Sequence, residues 1–118
     1  MDGEETMRQK WDHYIGGDFV HPASGTYLFE RNPRTRGNSF SIAQGNAADV
    51  ESAVNAATVS LPAWRDRKPI ERGRILSAIA AKLREHRNEF AEIETLESGK
   101  PLWLSRNEVE VAALYFEF

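Results

Sequence analysis

Apolar and polar positions divide this chain into an alternating, turn-rich first third and a helical remainder. Tyr14-Ile15 and Phe19-Val20 flank Gly16-Gly17-Asp18, and glycine there supplies the positive φ of a tight hairpin. A second turn falls at Pro22-Ala23-Ser24-Gly25. Thr26 to Arg31 then alternates, with Tyr27 and Phe29 on one face and Leu28 and Glu30 on the other. Asn32 to Asn38 has the composition of a loop. Ser39 to Ala43 alternates again through Phe40 and Ile42. The pattern predicts a flexible polar arm over 1–10 and antiparallel β hairpins over 11–45.

Residues 46–118 read as helices. Asn46 can cap the first, with Asp49 in its opening turn where negative charge is favoured. Val50, Ala53, Val54, Ala57 and Leu61 recur at helical spacing and predict one buried stripe, ended by Pro62. Trp64, in the link that follows, is a candidate core anchor. Pro69 suits the first turn of a second helix, whose apolar face is Ile75, Leu76, Ile79, Ala80 and Leu83. Arg72, Arg74, Lys82 and Arg84 are expected to stay largely wet.

Asn88 can cap a third helix carrying Phe90, Ile93 and Leu96. Gly99 followed by Pro101 is a stop signal, because glycine tolerates the left-handed closing residue and proline cannot continue the turn. A fourth helix begins near Pro101 or Asn107, with Val109, Ala112, Ala113 and Phe116 as its stripe. Leu114, Tyr115 and Phe118 add apolar bulk on its other sides. Leaving Val109, Leu114, Tyr115, Phe116 and Phe118 unburied forgoes roughly 1.5–3 kcal/mol each. A whole domain has only about 5–15 kcal/mol of net stability. The expectation is an incomplete domain.

Composition narrows the chemistry. The 118 residues are 41% hydrophobic and 28% charged, with three tryptophans, as in ordinary globular sequences. A net charge of −3 gives no hold on polyanions. The clusters Arg31, Arg34, Arg36 and Arg65 to Arg74 lack interleaved aromatics, so they read as solvated faces and not as a nucleic-acid footprint. Cysteine is absent, which excludes disulfides, thiolate metal sites and a thiol nucleophile within these residues. The acidic start carries no secretory pattern, and no run approaches the roughly 18 apolar residues of a spanning helix. A cytoplasmic location is the simplest expectation.

No residue set here builds an active site. His13, His21 and His86 lack a second ligand type at metal spacing and are expected on exposed or turn positions. Gly99-Lys100 imitates the end of a phosphate-binding loop, but Glu94 and Pro101 stand where that loop needs glycine and a hydroxyl residue. It reads instead as a helix stop with a cation at the C-terminus. No GxGxxG occurs, and Gly16-Gly17 serves a hairpin. Glu89, Glu92, Glu94 and Glu97 form the wet side of a helix. The sequence thus assigns no catalytic, cofactor-binding or metal residue.

The order of the elements is more specific than any one of them. Tyr14 to Val20 resembles the opening strand and turn of the aldehyde dehydrogenase superfamily, and Asn32-Pro33 its Asn-Pro after the second strand. Asp49-Val50, Ala53-Val54 and Ala56-Ala57 resemble its first helix, Ala63-Trp64 the tryptophan that follows, and Arg72, Leu76 and Leu83 its second helix. Glu94, Glu97, Gly99-Lys100-Pro101 and Glu108-Val109 match its acidic helix, Gly-Lys-Pro and Glu-Val helix. The likeness runs from about Trp11 to Phe118, with Arg34-Thr35-Arg36 more basic than usual and Leu61 in place of a frequent aromatic.

That resemblance implies an α/β parent with a Rossmann-type cofactor domain, a catalytic domain and an oligomerisation extension, of which this α+β segment starts the cofactor-binding domain. It implies oxidation of an aldehyde to a carboxylic acid with NAD or NADP. A cysteine thiolate attacks the carbonyl, hydride passes to the nicotinamide, and a glutamate-activated water hydrolyses the thioester. Those groups lie beyond residue 118 in such proteins. The implied partners are the rest of the polypeptide and further copies of the parent, and the segment alone is expected to be inactive. The alternative is a non-catalytic interaction module derived from the same scaffold.

Overall fold

A computed structural model describes residues 9–118 of the chain. They divide after Pro62 into two compact units.

The first unit holds five short strands: β1 (Gln9–Trp11), β2 (His13–Ile15), β3 (Asp18–Val20), β4 (Tyr27–Arg31) and β5 (Asn38–Ala43). β2 and β3 form the expected hairpin, with His13 opposite Val20 and Ile15 opposite Asp18. Gly16 and Gly17 close it at φ +66° and +94°. Two successive positive φ values match the right-handed strand twist and are easily reached only without a Cβ.

The other sheet has the order β1-β5-β4. β4 runs antiparallel to β5, with an irregularity between Glu30 and Arg31. β1 pairs parallel to β5, Gln9 to Trp11 against Phe40 to Ile42. This corrects the purely antiparallel expectation and takes Gln9 and Lys10 out of the polar arm; residues 1–8 lie outside the described residues. Parallel pairing joins segments far apart in sequence, and three residues with two of them polar carry no local strand signal.

In the loop before β5, the Asn32 side chain accepts the N–H groups of Arg34 and Thr35 at 2.9 and 3.3 Å. Asn32 N–H donates to the Gly37 carbonyl at 2.9 Å. Among the described residues of this unit, Phe40 on β5 is the buried large apolar residue. On β4, Leu28 and Phe29 are both exposed, so its alternation does not sort into a wet and a dry face.

Helix α1 (Ala47–Arg65) begins as its sequence predicts. Asn46 Oδ1 accepts the N–H groups of Ala48 and Asp49, while Asp49 Oδ2 accepts Asn46 N–H at 2.9 Å. This reciprocal arrangement satisfies donors that every helix start leaves free. The predicted stripe is not buried, however: Val50 and Val54 are 61% and 58% exposed. Pro62 lies inside the last turn, since its missing N–H costs one bond there and the helix continues to Arg65. Trp64 is on the surface and anchors no core within the described residues.

The second unit packs α2 (Pro69–Glu85), α3 (Arg87–Ser98) and α4 (Leu102–Glu117) together, with α4 against both others. Pro69 opens α2, and Lys68 N–H donates to Glu71 Oε2 at 3.2 Å. α3 is capped by His86 and not Asn88, whose Oδ1 instead accepts from Arg106 Nε at 3.1 Å. Gly99 ends α3 at φ +73°, its N–H donating to the Thr95 carbonyl at 2.9 Å. Pro101 is the N-cap of α4.

The centre of this unit is built from small side chains. Ala80, Ala91, Ser105 and Ala113 are fully enclosed, and Val109 is buried beside them. Short side chains let helix backbones approach closely, so the larger Ile79, Phe90 and Phe116 are left at the margin, exposed. The single buried hydroxyl is satisfied, with Ser105 Oγ 2.8 Å from Thr95 Oγ1. Among the described residues no helix is long and apolar enough to cross a membrane.

Candidate functional site

In the first unit a polar cluster gathers around Tyr27. Its hydroxyl donates to Asp12 Oδ1 at 2.5 Å. His21 Nδ1 lies 3.1 Å from that same oxygen and 3.0 Å from the hydroxyl. Lys10 Nζ sits 3.8 Å from the centroid of the Tyr27 ring. Three segments contribute: strand β1, the link after it, and the two ends of the 21–27 stretch.

Shielding from water pushes the Tyr27 phenol up to about 12, and the hydrogen bond to the Asp12 carboxylate adds to the shift. Asp12 is held below its ordinary value, chiefly by the bond from Tyr27 and further by His21. Because the folded phenol titrates above the unfolded one, its contribution is complete below about pH 10. It is lost as pH rises through about 12. A difference titration of wild type against Tyr27→Phe, followed at the phenolate absorbance, should show this tyrosine ionising near pH 12. Ionisation near 10 would show that Asp12 does not hold the proton.

His21 is exposed as expected, though engaged by Asp12. His13 departs from expectation: it is half-buried, with Nε2 shielded and 3.8 Å from Asp49 Oδ2. Asp49 already accepts backbone N–H groups from Asn46 and, at 2.9 Å, from Ala23, and those donors lower its pKa. His86, in the other unit, contacts Glu89 at 3.1 Å on the surface. Among the described residues no group of three or more His, Asp or Glu side chains could hold a metal.

In the second unit, Lys100 does more than close a helix. Its ammonium lies 2.6 Å from Glu94 on α3 and 2.5 Å from Glu108 on α4, and the two carboxylates raise its pKa. The three charges pin the Gly99-Lys100-Pro101 corner between two helices. Glu89, Glu92, Glu94 and Glu97 form no carboxylate pair; Glu89 and Glu94 have separate partners, His86 and Lys100.

Arg84 corrects the expectation of a wet arginine. It donates to Glu110 at 2.9 Å and to both carboxylate oxygens of Glu117 at 2.5 and 2.9 Å, clasping α2 to the end of α4. Arg72 likewise turns back onto the carbonyls of Arg65 and Arg67. Sequence reasoning missed Asp12, Tyr27 and Arg84 because their partners lie on other elements, at no recurrent spacing.

These arrangements fasten one element to another. The Gly16-Gly17 turn is occupied in joining β2 to β3.

The pattern of elements is shared with known proteins. The profile of the aldehyde dehydrogenase family matches residues 19–118. The fluoroacetaldehyde dehydrogenase of Streptantibioticus cattleyicolor is 37% identical over 97 residues, covering 82% of this chain and 19% of that protein. Among solved structures, HpcC from Thermus thermophilus superposes with a TM-score of 0.91 at 33% identity, over 93% of this chain and 21% of its own. PnpE in complex with nicotinamide adenine dinucleotide gives 0.87 at 35% identity, over 91% of this chain and 22% of its own. The chain therefore spans about a fifth of the length of the curated relatives it matches.

Proposed function

This chain belongs to the aldehyde dehydrogenase family, and from that premise we propose that it is the amino-terminal segment of an NAD- or NADP-dependent enzyme oxidising an aldehyde to a carboxylic acid. The observation that carries the reading is the ordered match over residues 19–118 together with a solved structure superposing over 93% of the chain. In this reading the segment starts the cofactor-binding domain of a cytoplasmic homo-oligomer. The proteins it matches are aldehyde dehydrogenases, which leaves the interaction-module reading without support.

The residues present do not fit a dinucleotide. A pyrophosphate needs converging backbone N–H groups at a glycine-rich turn and helix N-terminus. The one double-glycine turn joins two strands here; α1 starts at Ala47 behind the single Gly45, and α2, α3 and α4 start at Pro69, Arg87 and Leu102, none behind a glycine-rich turn. No step of the reaction is therefore routed through this segment. The sulfur nucleophile also belongs elsewhere, because the chain has no cysteine. What these residues contribute is position: Lys100 and Arg84 fix α4, and Asp49 ties the 22–25 turn to the start of α1.

The test replaces the 97 matched residues of the Streptantibioticus enzyme with those of this chain. A segment that only positions should leave NAD-dependent aldehyde oxidation within about tenfold of the unaltered relative, under roughly 1.4 kcal/mol in the barrier. The 118-residue chain alone should produce no NADH from any aldehyde. A folded but inactive fusion, or NADH formation by the clean 118-residue chain, would overturn the proposal.

A further inference from the structure

Among the described residues, His13 Nε2 is the shielded side-chain nitrogen left without a hydrogen-bond partner. Shielded polar atoms are nearly always paired, so an unpaired one calls for a reason. Asp49 Oδ2 stands 3.8 Å from it, too far for a hydrogen bond and close enough to make one after a small movement of the ring. The surroundings leave room for that movement. Gly45 presents no side chain, whereas a Cβ there would stand 3.4 Å from His13 Cε1 and 3.6 Å from Nε2. His13, Gly45, Asp49, Val50 and Ala53 line a cavity of about 240 Å³ on that side.

Charge decides whether the gap closes. The backbone N–H groups of Asn46 and Ala23 hold the Asp49 carboxyl below its ordinary value, so it is ionised. Each of its oxygens accepts one of those groups, which leaves a lone pair on Oδ2. The other neighbours of the ring bring no charge: Val20 lies opposite on β3, and Val50 and Ala53 are on α1. Tyr14, next on β2, stacks on Phe19, and Asp12 is engaged by Tyr27 and His21. The start of α1 is itself positive and repels a cation, so Asp49 is the group that would hold an imidazolium here.

We propose that His13 is a proton-operated clamp between the β2–β3 hairpin and the first turn of α1. Protonated, its Nε2–H donates to Asp49 Oδ2 in a charge-assisted bond and fastens the two elements; neutral, it leaves the gap open. Histidine changes charge within about pH 5–8. The carboxylate favours the charged ring in the folded unit, so the fastening is complete at the acid end of that range and is lost as pH rises through it.

Amide hydrogen exchange of β2 and β3 in the 118-residue chain, corrected for the intrinsic effect of pH, reads the clamp. Protection should be at least about threefold greater at about pH 5.5 than at about pH 8, the effect of a modest ion pair. His13→Gln carries no titrating charge and should abolish the difference. His21→Gln should retain it, since His21 contacts Asp12 and Tyr27.

Equal protection at the two pH values in the wild type overturns the clamp, as does a difference that survives in His13→Gln. Absence of any protection in β2 and β3 overturns it as well. Where His13→Gln does not fold, the imidazole protons of the wild type decide. At about pH 5.5 the His13 Nε2 proton should exchange with water at least about tenfold more slowly than the ring protons of His86, which lies on the surface. Equal exchange overturns the proposal.

Discussion

Phe40→Ala should destabilise the first unit by about 3–5 kcal/mol, the cost of truncating a buried phenylalanine. Phe40 lies on the central strand β5, opposite Gln9 on one side and Glu30 on the other. It is 5% exposed, whereas Tyr14 and Phe19 of the hairpin stack edge to face at the surface with ring centroids 5.2 Å apart. Among the described residues of this unit, no other large apolar side chain is as fully removed from water. A loss of 3–5 kcal/mol consumes much of the roughly 5–15 kcal/mol that holds a typical domain. Urea unfolding followed by circular dichroism measures it, and Phe40→Leu should recover more than half. A loss under about 1 kcal/mol for Phe40→Ala would show that burial of this ring does not organise the sheet.

Ala113→Leu is the counterpart for the helical unit, with an expected cost of about 1–3 kcal/mol from overpacking. Ser105, Val109 and Ala113 recur at every fourth position along the inner face of α4. The facing helices contribute Ala80 and Ala91, both without solvent exposure. Three added carbons at Ala113 must push the helices apart or force side chains off their rotamers. Val111→Leu, on the exposed side of the same helix, serves as the comparison and should be near neutral. For a unit of this size each kcal/mol lowers the melting temperature by about 4–8 °C. Equal melting temperatures for the two variants would contradict a close-packed small-residue seam.

Local chemistry was read from the residues with good fidelity where backbone geometry decides. Gly16 and Gly17 close a hairpin because both need positive φ, and Gly99 ends α3 for the same reason. Pro69 starts α2 at a position where no N–H is required. Asn46 and Asp49 cap α1 as their spacing predicts. Where the nearest partner is nonlocal, the reading fell short. Asn88 has the right chemistry for a cap, yet Arg106 on another helix takes its side-chain oxygen. Strand β1 escaped notice because its ladder is made with β5 and not with a sequence neighbour.

The candidate site was legible in one respect. The residue types present are read directly, and cysteine is not among them. Neither the Asp12–Tyr27–His21 cluster nor the Lys100 bridge could be foreseen as contacts, since each joins separate elements through side chains whose directions the spacing does not define. The family likeness rested on order, and order survives in one dimension.

By itself, then, the sequence determined backbone conformation at its glycines, prolines and caps, the period of each helix, and which functional groups are present at all. Those follow from covalent geometry and from neighbours within one turn. Tertiary structure decided which apolar faces are covered. Val50 and Val54 carry a faultless helical stripe and remain in water, while Ala80, Ala91 and Ala113 are enclosed. Burial is a property of two surfaces, and a residue's own hydrophobicity states only that it would profit from a partner, not that one has been brought within reach.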